Sequence, residues 1–394
     1  LYSIVFYLGA GTLAGIAPFY TAAVTRADGK ERERLERIGW MTVGLLATLT
    51  VPLVWFAPAW LKSFGLEPRL LEQGQGFTRA LALTLIPMLG VVLYRTVLTA
   101  AERPKVFLKV TLAMLPLNAL GNYVLMLGFG PVPAMGPTGA GVSTLLVATT
   151  SLVVLVVIAR RASPSTLTES NTDPSSDRRG MLAVLRVGVP IGIATVAEVG
   201  IFLAATLYAA TLGAADVAAH TLTLRTAGVA YAVPQALLQA SMVRMARAES
   251  LRDAHAGHAV VASSLWLSTL FGIAIFALLA GSAEWLAARF FDGSDVGVTA
   301  ARLALGLLIL LGLTEFIIGP GSAAAGLLRG RKDTRAPMVY ALVGHWAVGA
   351  PLGLYLCEVQ GSGATGIWIG LAAGTLVTTI LSLARLLGVR PTIS

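Results

Sequence analysis

Charge is scarce in this sequence: 12% of its 394 residues are Asp, Glu, Lys or Arg, half the roughly 25% of an ordinary soluble domain. With 56% hydrophobic residues and a mean hydropathy of +0.78, this excludes a water-soluble globular chain and leaves an integral membrane protein. Cysteine is nearly absent too. The lone Cys357 cannot close an internal disulfide, and a single thiol in an apolar segment is a packing residue, so no redox chemistry is implied. The four histidines show no metal-ligand spacing such as HExxH or CxxC. Paired aspartates, a nucleophile elbow and a phosphate-gripping glycine loop are also missing, so neither an enzyme nor a cofactor is expected.

What is present is apolar text in lengths that suit a bilayer. Runs of about 20 residues, the length of helix that crosses roughly 30 Å of hydrocarbon, occupy 1–25, 40–61, 78–100, 106–128, 139–159, 181–211, 214–243, 259–280, 300–328, 338–357 and 364–388. They are continuous rather than alternating, which favours helices over barrel strands. The expected fold is an all-α polytopic membrane protein with about 11 transmembrane helices.

The net charge of +9 would suit nucleic acid, but the basic residues lie in short loops rather than in one aromatic-interleaved patch. The bilayer is therefore the expected partner, and nucleic acid is not. One set of loops (26–39, 101–105, 160–180, 244–258, 329–335 and the tail from 385) holds 20 Lys and Arg; the opposite set holds three, Lys62, Arg69 and Arg289. Positive loops stay inside, so Leu1 is expected outside and Ser394 inside. The chain opens on Leu1 without a signal-peptide pattern, and one further helix before Leu1 is expected.

"ASPSTLTESNTDPSSD" (Ala162 to Asp177) is the only long polar stretch and reads as a flexible linker. It separates an N-terminal lobe, 1–159, from a C-terminal lobe, 181–394, with 160–180 between them. "GPTGAGVSTLLVATTSLVVLVV" from Gly136 resembles "GATGIWIGLAAGTLVTTILSLA" from Gly363, and both copies run from outside to inside. Parallel repeats of this kind point to a two-lobed transporter, five helices plus six here and six plus six when complete. A channel is disfavoured by the same repeat.

Five motifs carry a family resemblance: "LNALGNYVLMLG" (Leu117 to Gly128), "GPTGAGVST" (Gly136 to Thr144), "RVGVPIGIATVAEVGIF" (Arg186 to Phe202), "AAHTLTL" with "VPQALLQASMVRMA" (Ala218 to Ala246), and "AAAGLLRGRKDTRAP" (Ala323 to Pro337). Spread over essentially the whole chain, they resemble the multidrug and toxic compound extrusion (MATE) family, nearest its bacterial NorM-like branch. The resemblance implies a V-shaped antiporter of a bacterial inner membrane, expected as a monomer. It would export cationic amphipathic compounds by alternating access, driven by protons or sodium. A lipid-linked saccharide flippase of the same superfamily is the alternative.

Glu198, the one acid in "IGIATVAEVGIFLAATLYAA" (Ile191 to Ala210), aligns with the family's second-lobe carboxylate. An acid inside a bilayer is expensive, so it carries function or has a buried partner. In the functional case it exchanges a proton or binds sodium as a hard oxygen ligand. Arg225 stands where the family usually has a neutral amide, and Glu198 or Glu315 is its expected partner. A fixed positive charge there competes with sodium, which favours protons, and Arg225 is also the one feature that leans toward the flippase. Glu315 lies about one turn before Ile318, the family's acidic position on that helix, and is either a shifted ion ligand or the partner of Arg225.

Asn118 and Asn122, spaced i and i+4, share a helix face and coincide with the family's first-lobe polar site; helix-to-helix glue is the plainer reading. His345, mid-span, is a candidate for the polar cavity, and both it and His220 otherwise read as helix-packing polar residues. Gly366, Gly370 and Gly374 form a packing stripe, and Arg26 to Arg37 reads as a solvated charged turn. Pro18, Pro87, Pro116, Pro190, Pro234 and Pro351 lie within spans. Pro18 and Pro234 sit late in corresponding helices and are the best hinge candidates.

Overall fold

The computed structural model describes residues 1–63, 68–162 and 174–388, and within them the chain is helical nearly throughout. The all-α polytopic fold is what hydrocarbon demands, since a helix satisfies its backbone N–H and C=O groups within one segment. Among the described residues one isolated bridge, Phe129 to Val132, is the only β feature. Ten helical stretches of the described chain are long and apolar enough to cross a membrane. The remaining expected crossing, 214–243, is split by a helix break, and neither half meets that measure alone.

The chain divides into two compact units, Leu1–Gly192 and Ile193–Ser394. The first contains α1 (Tyr2–Ala14), α2 (Ala17–Thr25), α3 (Gly29–Trp55), α4 (Ala57–Ser63), α5 (Pro68–Ala100), α6 (Pro104–Leu127), α7 (Pro137–Ala162) and the leading part of α8 (Pro174–Ala209). Leu13, Ile16, Ile38, Leu89, Leu93 and Val184 bury one another in its core. Here α1 and α8 meet backbone to backbone: a Cβ on Gly15 would strike the main chain of Gly188, and one on Gly188 would strike Thr12. Asp177 ties the start of α8 to α3 by accepting from Arg34 Nε at 3.2 Å and Arg37 Nε at 2.9 Å. The expected flexible linker falls mostly outside the described residues, although helix takes up its two ends, to Ala162 and from Pro174.

The second unit contains the rest of α8, α9 (Ala214–Ala230), α10 (Ala232–Leu251), α11 (Ala254–Phe290), α12 (Asp295–Gly330), α13 (Arg335–Ala341), a π-helical segment (Leu342–Gly349), α14 (Ala350–Glu358) and α15 (Gly363–Gly388). The long α12 packs against α9, α10, α11 and α15, and Leu307, Leu308, Leu311, Trp368 and Leu371 are buried together. The glycine stripe packs as its spacing predicts, with Gly370 and Gly374 against Gly344, Gly349 and Gly353. His220 joins three helices. Trp368 Nε1 donates to its Nδ1 at 3.2 Å, so Nε2 carries the hydrogen and faces Thr206 Oγ1, also at 3.2 Å.

Two helix breaks follow one rule. Proline at position i cannot donate to the carbonyl of i−4 and its ring crowds that group. Pro18 accordingly ends α1 at Ala14, and Pro234 ends α9 at Ala230. Pro52, Pro87, Pro116, Pro190 and Pro320 leave their helices continuous, so a proline alone is insufficient and packing decides which ladder opens.

Candidate functional site

The second unit holds a partly open cavity of about 60 Å³ whose mostly apolar wall carries the polar groups of Glu198 of α8, Tyr231, Arg329 of α12, His345 and Ser382 of α15. One buried water needs on the order of 10–15 Å³ of such space, so a few fit. The break between α9 and α10 puts Tyr231 at the cavity wall, where its hydroxyl donates to Glu198 Oε2 at 3.0 Å and accepts from Gln235 Nε2, one turn on.

His345 reaches the cavity because the helix is widened around it. The Ala350 N–H bonds the His345 carbonyl five residues back, a π turn that adds a residue to the helical circuit. Its neighbour Trp346 donates to the carbonyl of Ala197 at 3.0 Å, which anchors the π segment one residue from Glu198. From α15, Thr378 donates to Tyr340 O at 3.1 Å and Thr379 to Ile317 O at 3.2 Å. His345 Nδ1 and Ser382 Oγ are buried and have no partner within the protein.

Arg329, 5% exposed, is the positive charge that acts on both Glu198 and Tyr231. The expected partnership of Arg225 with Glu198 or Glu315 is absent among the described residues. The register of α9 turns Leu222, Thr223 and Ala227 inward and leaves Arg225 exposed. Glu315 is buried with Oε2 unpartnered and lies outside the cavity, whereas Ile318, one turn on, lines it.

The MatE family profile matches residues 1–124 and 190–355, well over half of the sequence. The chain belongs to the MatE family. It is 30% identical to the "Probable multidrug resistance protein NorM" of Mesorhizobium japonicum, over 98% of this chain and 83% of that one. To the like-named protein of Bradyrhizobium diazoefficiens it is 31% identical, over 98% and 83% respectively. The crystal structure of a eukaryotic MATE transporter superposes with a TM-score of 0.86 at 17% identity, covering 98% of this chain and 85% of that one, a likeness of fold.

In the first unit of this MatE protein, Asn122 Nδ2 donates to Asn118 Oδ1 at 3.2 Å along one face of α6, as the spacing predicts. Asn122 Oδ1 and Ser143 Oγ are buried there without partners, and Gly121 of α6 lies against Ser143 of α7. Pro18 opens α2 and Pro234 opens α10, each three residues past a break.

Sequence reading missed Tyr231, Gln235 and Arg329. Arg329 was counted with the loop cations of 329–335, yet α12 runs on to Gly330 and buries it. Its apolar flank, "AAAGLL", is the signal that separates it from the exposed Arg335. Tyr231 and Gln235 are an i, i+4 pair straddling Pro234, legible only once the break is known.

Proposed function

We propose that this MatE protein is a secondary antiporter that exports cationic, amphipathic drugs or other toxic compounds in exchange for protons, by alternating access. The family and the NorM relatives, named for multidrug resistance, support export. The observation that carries the coupling reading is the cavity itself: a carboxylate held by the Tyr231 hydroxyl, with the guanidinium of Arg329 acting on it. A proton binds such a carboxylate without needing a coordination shell. A sodium ion would compete with the fixed positive charge of Arg329 and would need several oxygen ligands.

Glu198 is the proton-exchanging group in this reading, and Tyr231 holds its carboxylate in one orientation. Asn118 and Asn122 offer polar contacts to substrate from the first unit, and Pro18 and Pro234 are its hinges. The protein works as a monomer in a bacterial inner membrane with Ser394 inside, an orientation supported by the lopsided loop charges.

Ethidium uptake into proteoliposomes under an imposed proton gradient or an imposed sodium gradient tests this. The proton gradient is expected to drive uptake, and Glu198→Gln to reduce it by at least tenfold. Uptake driven by sodium alone, or undiminished by Glu198→Gln, would remove the coupling role.

A further inference from the structure

The Glu198 cavity follows the course of α12. Ile318 and Arg329 both line it and are eleven residues apart on α12, about 16 Å at 1.5 Å per residue. Thr375 and Ser382 line it from α15, and Pro337 from the first turn of α13. The cavity thus runs from Glu198, in the middle of an apolar helix, toward the end of the unit where α12 turns into α13 at residues 331–334. A volume of about 60 Å³ has room for a few waters.

Two buried polar atoms in its wall, His345 Nδ1 and Ser382 Oγ, have no protein partner. Buried polar groups in folded proteins are bonded to protein or to ordered water, and both residues line this cavity, which has room for water. Other charged or titratable groups around His345 are Glu198 from α8, Tyr231 from the break before α10 and Arg329 from α12. From α15 only the hydroxyls of Thr375, Thr378, Thr379 and Ser382 line the cavity.

We propose that this cavity is a water-filled proton path between Glu198 and the α12–α13 turn, with His345 as its relay. The proposal rests on the reading of Glu198 as the proton-exchanging group. The carboxylic acid of Glu198 gives its proton, directly or through one water, to Nδ1 of the neutral imidazole. The imidazolium then releases a proton to the water bonded to Ser382 Oγ. Glu198 is left as carboxylate, His345 is neutral again, and one proton has moved toward the turn.

Proteoliposomes loaded with a pH-sensitive dye test it, with substrate-driven proton movement measured from pH 5.5 to 8.5. His345→Gln, which keeps size and hydrogen bonding but carries no proton at these pH values, is expected to slow proton movement about tenfold and to flatten the limb of the profile near the histidine range. Ser382→Ala is expected to slow it about threefold with the limb retained. A structural role for His345 would lower the amount of folded protein and leave the profile's shape alone.

Wild-type rate and profile in His345→Gln would overturn the relay while leaving Glu198→Gln as the test of the parent reading. If Glu198→Gln were also unaffected, the parent reading would fall with it. Should His345→Gln not fold, Ser382→Val is read instead, because it removes the Ser382 hydroxyl, narrows the cavity on the side of α15 and leaves His345 in place. An unchanged rate in Ser382→Val would then overturn the path.

Discussion

Gly15 and Tyr231 each lie three residues before a proline, at the end of a broken helix, and their backbones nearly coincide: φ −60° and ψ −16° for Gly15, φ −61° and ψ −17° for Tyr231. The settings differ. Around Gly15 the first unit is close-packed, with Ile16 and Leu13 fully buried and Gly188 against the main chain. Around Tyr231 the second unit is hollow, and the phenol spans the gap to Glu198. One backbone device thus serves close approach in the first case and delivery of a hydroxyl in the second, and the side chain at the break decides between them.

The largest effect is expected from giving the first break a side chain. Gly15→Val has no room for its Cβ against Gly188 and should cost about 3 kcal/mol or more, since overpacked sites relax poorly. A fall of several degrees in the thermal unfolding midpoint in detergent would register it, and an unchanged midpoint would show that α1 and α8 separate freely.

Next in size is Tyr231→Phe at the second break. It removes one hydroxyl and leaves the packing, so the unfolding midpoint should hold within a few degrees while proton-driven ethidium transport falls about tenfold. Equal transport in this variant would reduce Tyr231 to packing and erase the contrast with Gly15.

Pro18→Ala and Pro234→Ala sharpen the comparison by restoring the N–H that would bond to Ala14 or Ala230. An interior proline costs a helix about 3 kcal/mol, so each variant should unfold at a slightly higher temperature and transport about threefold more slowly. Faster transport would count against both hinges. The smallest effect is expected for Asn122→Ala, whose hydrogen bond to Asn118 is half-exposed and long at 3.2 Å; its loss should cost under about 1 kcal/mol, as judged by the unfolding midpoint.

Much of this was legible in the sequence. Apolar runs located the helices, though α3, α5 and α11 run about ten residues past them at one end, and Pro18 and Pro234 marked the two breaks, because a missing N–H acts on a carbonyl only four residues away. Glu198 stood out because no soluble-protein logic places an acid there, and the Asn118–Asn122 pair followed from helical spacing alone. The environment of Glu198 was less legible. Arg225 was expected beside it from sequence position, yet the register of α9 leaves Arg225 exposed, and the charge that acts on Glu198 comes from Arg329, 131 positions on. The apolar flank of Arg329 marks it as buried, but nothing local ties it to Glu198.

The sequence by itself determined that the chain is a helical membrane protein of the MatE family and which residues are anomalous in an apolar setting, because hydropathy, helical period and proline chemistry act over one or two turns. Only the tertiary structure decided that Tyr231, Arg329, His345 and Ser382 share a cavity with Glu198 and that Glu315 and Arg225 do not. Those groups come from α8, the α9–α10 break, α12, the π segment and α15, and the meeting of side chains so far apart in sequence is set by how helices pack, through glycine contacts and one widened turn.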